Sequence, residues 1–290
     1  MNKKLFKPSH LKELCQKYNL SPSKKYGQNY LITDAPIKKM IDVAELKKTD
    51  TVIEIGPGFG VLTFALVEEV NRVIAFEIER KLEGYWDDNK TDNLDIVWGN
   101  ALKELTAYSL QLTAGYKVVA NIPYQITSNL LRVLLESENK PESITMMVQK
   151  EVAERICAKP GDMSVLAVSV QYYGEPKIIT KVSKGNFWPS PKVDSAVLHI
   201  STLALEQQST REFDDGFFKV VKAGFTNKRK QLWRNLSEGL KLPARNASTS
   251  VAGGDREEIK KILVEVVGDE KIRAEELSVE NWKEITKMIR

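Results

Sequence analysis

Three short stretches of this chain put polar or conformationally free residues at the end of an apolar run, where the edge of a sheet can meet a ligand. Glu54-Ile55-Gly56-Pro57-Gly58-Phe59-Gly60 follows Thr51-Val52-Ile53. Its glycines allow a sharp turn and a close approach of backbone to a bound group. Val61 breaks the spacing of a dinucleotide loop, which favours a cofactor without phosphates over one with a pyrophosphate. Glu77 ends the next apolar run, Ile74-Ala75-Phe76, about 20 residues on, where a carboxylate can accept hydrogen bonds from a ribose. Nicotinamide dinucleotides and S-adenosylmethionine both carry that ribose, so Glu77 indicates an adenosine cofactor without choosing one. Capping a helix is its alternative role.

The third stretch, Asn121-Ile122-Pro123-Tyr124, follows Val118-Val119-Ala120. The exocyclic nitrogen of adenine is a poor nucleophile, because its lone pair is delocalised into the ring. An amide oxygen and a backbone carbonyl can each accept one N–H of that amine, orient it, and stabilise the positive charge that develops during methylation. Pro123 fixes a tight turn and Tyr124 offers a face for the base, a stacking contact of roughly 1–3 kcal/mol. A sulfonium donor leaves as a neutral thioether, so no strong base is required. That agrees with a chain holding only two histidines, His10 and His199.

These stretches need elements to hold them. Thr51–Ile55, Val73–Glu77, Asp95–Trp98, Lys117–Asn121 and Ile144–Val148 read as short buried strands. The amphipathic stretches 61–70, 79–89 and 127–136 between them predict βαβ units and a parallel sheet. Two later runs, Val165–Tyr173 and Val193–Ser201, are expected to extend the sheet, with the proline-punctuated loop Phe187-Trp188-Pro189-Ser190-Pro191 between them. Beyond a polar stretch at 206–210 the period turns helical over 213–223, 228–238, 255–267 and 274–289. This predicts two domains, 1–202 and 203–290, the second small and all-helical.

Composition supports an ordinary folded chain: 290 residues, 42% hydrophobic and 28% charged. No apolar stretch is long enough to span a bilayer and no secretory leader is visible, which predicts a cytoplasmic protein without membrane contact. Two cysteines, Cys15 and Cys157, and two histidines provide no metal or disulfide framework. Residues 1–50 carry a net charge of +6, with lysine pairs at 24–25, 38–39 and 47–48. Such an arm suits a nucleic acid or a merely solvated surface.

Taken in order, these motifs resemble the ribosomal RNA adenine N6,N6-dimethyltransferases, and more closely the branch acting on small-subunit (16S) rRNA. Further matches carry the resemblance over most of the chain: Lys25-Tyr26-Gly27-Gln28-Asn29-Tyr30-Leu31, Gln149 to Ile156, Phe187-x-Pro189-x-Pro191-Lys192-Val193-Asp194-Ser195-Ala196-Val197, and Ala223-Gly224-Phe225 with Lys228-Arg229-Lys230-x-Leu232-x-x-Asn235-Leu236. The resemblance implies a Rossmann-like class I methyltransferase sheet with a helical C-terminal domain, S-adenosylmethionine as cofactor, and dimethylation of two adjacent adenosines in the 3′-terminal hairpin loop of 16S rRNA. The partner would be the immature 30S subunit, bound by a monomer with a role in subunit biogenesis.

Site roles follow from the same resemblance. Asn29, Leu31, Gly56, Gly58, Glu77, Asn100 and Asn121 would lie on the cofactor. Asn121, Pro123 and Tyr124 would hold the target adenine, and Phe187 would stack on its other face. Lys228, Arg229, Lys230 and Arg234 would meet RNA phosphates, although four cations in seven residues can equally be a solvated helix face. Position 100 departs from the family, which usually has Asp there; Asn still offers an oxygen, without charge. The competing readings are a large-subunit (23S) rRNA dimethyltransferase of the macrolide-resistance type, a non-catalytic RNA-binding assembly factor, and a DNA adenine methyltransferase. The last lacks the C-terminal helical motif.

Overall fold

The computed structural model describes residues 3–22, 28–112, 115–202, 211–240 and 254–289. Lys25, Tyr26 and Gly27 of the N-terminal motif, and the polar stretch at 206–210, lie outside them. The chain divides into two compact units, Met1–Glu154 with Gly174–Thr202, and Arg155–Tyr173 with Leu203–Arg290.

The first unit opens with α1 (Pro8–Lys17), the two-residue strand β1 (Tyr30–Leu31) and α2 (Ala35–Ala44). Then strands and helices alternate: β2 (Thr51–Ile55), α3 (Thr63–Leu66), β3 (Arg72–Glu77), α4 (Glu83–Asn89), β4 (Leu94–Trp98), α5 (Ala101–Gln111), β5 (Lys117–Asn121), α6 (Thr127–Leu135), β6 (Ser143–Gln149) and α7 (Lys150–Ile156). β2, β3, β5 and β6 are almost wholly buried, with mainly apolar interiors and most of their polar residues at the ends, as suits strands covered on both faces. α6 puts Leu130, Leu131, Leu134 and Leu135 on one buried face.

After α8 (Val165–Tyr173), a helix of the second unit, the first unit resumes with β7 (Gly174–Val182), β8 (Phe187–Trp188) and β9 (Ser195–Thr202). The seven-stranded sheet has the order β4-β3-β2-β5-β6-β9-β7, and β1 pairs with β8 in a separate two-stranded ribbon. β4 to β6 run parallel, while β9 is antiparallel to both β6 and β7. The chain winds outward from β2 through β3 to β4, then returns to β5 on the other side. The direction of winding therefore changes between β2 and β5, which opens a crevice at their carboxyl ends.

One expectation about strands needs correction. Val165–Tyr173 is not a strand but the helix α8, apolar all round. Periodicity cannot separate such a run from a buried strand. Ser164 starts it, its hydroxyl accepting the Ala167 N–H at 3.2 Å. The strand that does extend the sheet is β7, which carries Pro176 and the lysines Lys177 and Lys181; both residue types are tolerated because β7 is an edge.

In the second unit α8 is joined by α9 (Arg211–Gly224), α10 (Leu232–Gly239), α11 (Gly254–Val267) and α12 (Val279–Ile289). Phe217, Leu232, Leu236, Ile259, Leu263, Trp282 and Ile285 form buried parts of these helices. The predicted helix at 228–238 begins only at Leu232, so Lys228, Arg229 and Lys230 lie in the turn before it. The predicted helix at 274–289 is broken around Ser278, where Ser278 and Asn281 cap one another: each side-chain oxygen accepts the other's backbone N–H at 3.1 Å. The asparagine of the helical motif is structural. Asn235 is 3% exposed, and its amide donates to the carbonyls of Gly224 at 2.6 Å and Asn227 at 3.0 Å.

Candidate active site

The crevice predicted by the strand order is a cavity lined by residues 28–31, 54–59, 76–78, 99–102 and 121–126, with Val61 and Leu62. Each group arrives on a strand end. Gly56 follows β2 and donates its N–H to the Phe76 carbonyl at 2.9 Å; Gly99 follows β4 and donates to the Glu77 carbonyl at 2.8 Å. Asn121 is the last residue of β5, in register with Met147 of β6.

Two features make the glycine turn tight. Gly56, Gly58 and Gly60 have φ of +74°, +55° and +81°, a region other residues rarely adopt. A Cβ on Gly58 would lie 3.1 Å from Tyr30 Cε1, so the loop also needs the missing side chain in order to pack against the N-terminal arm.

Glu77 is 4% exposed and braces that turn: one carboxylate oxygen accepts the Gly58 N–H at 3.1 Å and the other the Glu79 N–H at 2.8 Å. Burial raises its pKa, while the N–H groups of Glu79, Gly58 and Ile78 oppose the rise. The carboxylate, with about four acceptor sites, retains some acceptor capacity. Asn100 caps α5, its side-chain oxygen accepting the Leu102 N–H at 3.0 Å, and it lines the cavity as well. Asn100 thus serves as a local cap beside its place on the cavity wall.

Asn121, Pro123 and Tyr124 come together on the opposite wall. Pro123 (φ −58°, ψ 127°) ends the strand and leads into a single 3-10 turn, Tyr124–Ile126. The Tyr124 hydroxyl lies 2.6 Å from Ser195 Oγ on β9. Asn29 and Leu31 also line the cavity. Phe187 does not: it pairs with Leu31 across the β1–β8 ribbon and is 3% exposed, its ring in the core. Lys228, Arg229 and Arg234 are exposed on the helical unit; Lys230 is paired with Glu238 at 2.8 Å, and Arg234 packs over the Trp233 ring.

Glu54 was not singled out from sequence. It lines the cavity at 1% exposure, and Oε2 has no hydrogen-bond partner among the described residues. Burial, helped by the charge of Glu77, pushes its pKa up to about 8. The available signal was an acid inside an otherwise apolar strand, Thr-Val-Ile-Glu-Ile.

Among the described residues, no lysine, arginine or histidine lines the cavity. A pyrophosphate would enter without a cation to meet it. A cofactor bearing an adenosine, an amino acid and a positive sulfur suits a cavity with two carboxyl groups and a largely apolar wall. Among the described residues, no group of three His, Cys, Asp or Glu side chains could hold a metal ion, and no helix is long and apolar enough to cross a membrane.

Comparison with known proteins adds a second line. Residues 19–274 match the family described as ribosomal RNA adenine dimethylase. The ribosomal RNA small subunit methyltransferase A of Dehalococcoides mccartyi strain 195 is 40% identical over 275 residues, covering 94% of this chain and 90% of its own. The protein of the same name from Fusobacterium nucleatum is 37% identical, covering 91% and 96%. Among solved structures, a dimethyladenosine transferase from Plasmodium falciparum aligns with a TM-score of 0.71 at 24% identity, covering 88% of this chain and 95% of its own. The 23S rRNA methyltransferase ErmE aligns at 0.66 and 24%, covering 90% and 99%. At that identity the two structures bear on the fold alone.

A carboxyl held protonated in the folded chain but ionised when unfolded makes the folded state bind more protons. Stability then falls as pH rises from the ordinary 4.5 of Glu54 to its raised value of about 8. Glu54→Gln keeps the neutral shape. Without cofactor it should melt several degrees above the wild type at pH 8, with the gap closing toward pH 4.5. A gap independent of pH, measured by thermal denaturation, would show that Glu54 is not held neutral.

Proposed function

The chain belongs to the ribosomal RNA adenine dimethylase family, and we propose that it dimethylates adenine N6 in small-subunit (16S) ribosomal RNA, using S-adenosylmethionine. The observation that carries this reading is the meeting of Asn121-Ile122-Pro123-Tyr124 with the glycine turn and Glu77 in one cavity. Bound S-adenosylmethionine supplies an electrophilic methyl group on a sulfonium and leaves as a neutral thioether.

The protein's own part is binding and orientation. Glu77 accepts from the ribose hydroxyls with its remaining lone pairs, Gly56 and Gly58 let the backbone close on the amino-acid end, and Asn100 accepts from the adenine amine of the cofactor. Asn29 and Leu31 cover it from the N-terminal side. Asn121, whose amide makes no hydrogen bond among the described residues, takes one N–H of the target amine, and a backbone carbonyl of the Pro123 turn takes the other. This aims the nitrogen lone pair at the methyl group and stabilises its developing charge. Tyr124 stacks on the extruded base. Stacking by Phe187 on the second face requires the 187–188 segment to move, because its ring is buried.

In this reading residues 1–202 carry catalysis and 203–290 recognise RNA, with Lys228, Arg229, Lys230 and Arg234 on phosphates. The substrate is a pair of adjacent adenosines in the 3′-terminal hairpin loop of the immature 30S subunit, methylated in the cytoplasm by a monomer during subunit biogenesis. The sequence of the relatives over nearly the full chain supports the small-subunit assignment.

Transfer of labelled methyl groups to undermethylated small subunits should exceed transfer to large-subunit RNA; label on the latter alone would overturn the reading. Asn121→Ala should cut turnover by about 10²–10³-fold with little change in cofactor affinity, whereas Glu77→Ala should weaken cofactor binding about tenfold or more. Titration calorimetry beside steady-state kinetics separates the two, and equal losses of affinity and turnover in Asn121→Ala would remove it from catalysis. Asn100→Asp should tighten cofactor binding by less than about tenfold, since a charged hydrogen bond gains about 1 kcal/mol over a neutral one and desolvation offsets part of it. A shifted melting temperature with unchanged affinity would leave Asn100 as a helix cap only.

A further inference from the structure

We propose that Ser195 is a positioning residue for methyl transfer, holding the Tyr124 ring in the plane that receives the target adenine. The inference rests on the reading of Tyr124 as the stacking face.

Stacking by itself does not need a phenol; a phenylalanine offers the same ring. Here the hydroxyl lies 2.6 Å from Ser195 Oγ, a short contact even for two hydroxyls. The two residues are 71 apart in sequence, so the fold alone brings them together. Tyr124 sits in a single 3-10 turn on the cavity wall, with little regular structure to set its side-chain torsions. A ring fixed at Cβ alone can swing; fixed also at its far end, it presents one plane. Burial raises the pKa of the phenol even against the Ser195 bond, so it remains protonated and able to donate.

Ser195 is suited to be the fixed end. It is 0% exposed and stands first in β9, between Gln149 of β6 and Val182 of β7. The preceding residue is held twice: the Asp194 carbonyl accepts the Lys150 N–H at 3.0 Å, and its carboxylate accepts the Lys184 N–H at 2.9 Å. A hydroxyl buried at the head of an apolar strand costs free energy unless it is paired, and Tyr124 supplies its side-chain partner. Alanine would serve the sheet equally well, which places the purpose of the hydroxyl at the ring.

The test is a double-mutant cycle on the full-length enzyme, with undermethylated small subunits as substrate. Ser195→Ala and Tyr124→Phe should each lower kcat about five- to twentyfold. KM and calorimetric Kd for S-adenosylmethionine should stay at wild-type values. The double variant should be no slower than the slower single one, because both remove the same bond. Multiplying losses would overturn the proposal, as would a wild-type kcat in Tyr124→Phe. The latter removes the bond from the cavity side and needs no change in the sheet. Tyr124→Ala distinguishes the two levels: if it abolishes turnover while Tyr124→Phe is unimpaired, the stacking reading stands and the Ser195 anchor falls. If Tyr124→Ala turns over normally, both fall.

Discussion

The parallel pairing of β2 with β3 on one side and β5 on the other governs everything at the site. Parallel register fixes all the carboxyl ends at one edge, and each carries one component: the glycine turn from β2, Glu77 from β3, Gly99-Asn100 from β4 and Asn121 from β5. Because side chains alternate along a strand, a slip of one residue would turn Glu77 or Asn121 to the other face. The reversal of winding between β2 and β5 leaves a gap just where these ends converge. At the far edge of the same strands, Lys117 at the start of β5 is tied to Asp50 at 2.9 Å and to the Glu45 carbonyl at 2.7 Å. This pair is largely buried, and removing one partner of such a pair typically costs about 3–5 kcal/mol.

Such a frame allows chemistry with few titrating groups. Transfer from a sulfonium to an amine needs orientation, exclusion of water and acceptors for a developing positive charge. The cavity offers an amide, aromatic and apolar surface, and two carboxyls whose ionisation burial resists. Among the described residues no cation lines the cavity, which agrees with the broken dinucleotide spacing at Val61: a loop with no phosphate to bind needs neither the third glycine at that position nor a neutralising side chain.

The helical unit separates structural residues from those free to meet a partner. Asn235 is committed to the Gly224 and Asn227 carbonyls, and Gly224 itself has no room for a side chain, since a Cβ there would lie 2.3 Å from Trp282. Half of the motif that resembles a recognition element thus builds the fold. Lys228 and Arg229 are exposed on a turn rather than on a helix face, while Lys230 is shared with Glu238.

The motif spacing placed Gly56, Glu77 and Asn121 at strand ends because buried parallel strands are short and mostly apolar in their interiors, and a polar residue that ends one stands out. The same local signal failed at Val165–Tyr173, since a helix apolar on all sides and a buried strand share one composition, and it missed β7, whose proline and lysines look unlike a strand until its edge position is known. Glu54 was hidden by belonging to a strand, and its neutral state depends on what surrounds it. Phe187 could be read as part of a loop but not as buried, because the β1–β8 ribbon that buries it joins residues far apart in the chain. The sequence by itself determined which residues end the strands and what chemistry their types allow. Only the tertiary structure decided which of them share a cavity, how strongly burial favours the protonated form of Glu54 and which hydroxyl meets Tyr124, because burial and long-range contact are properties of the packed chain.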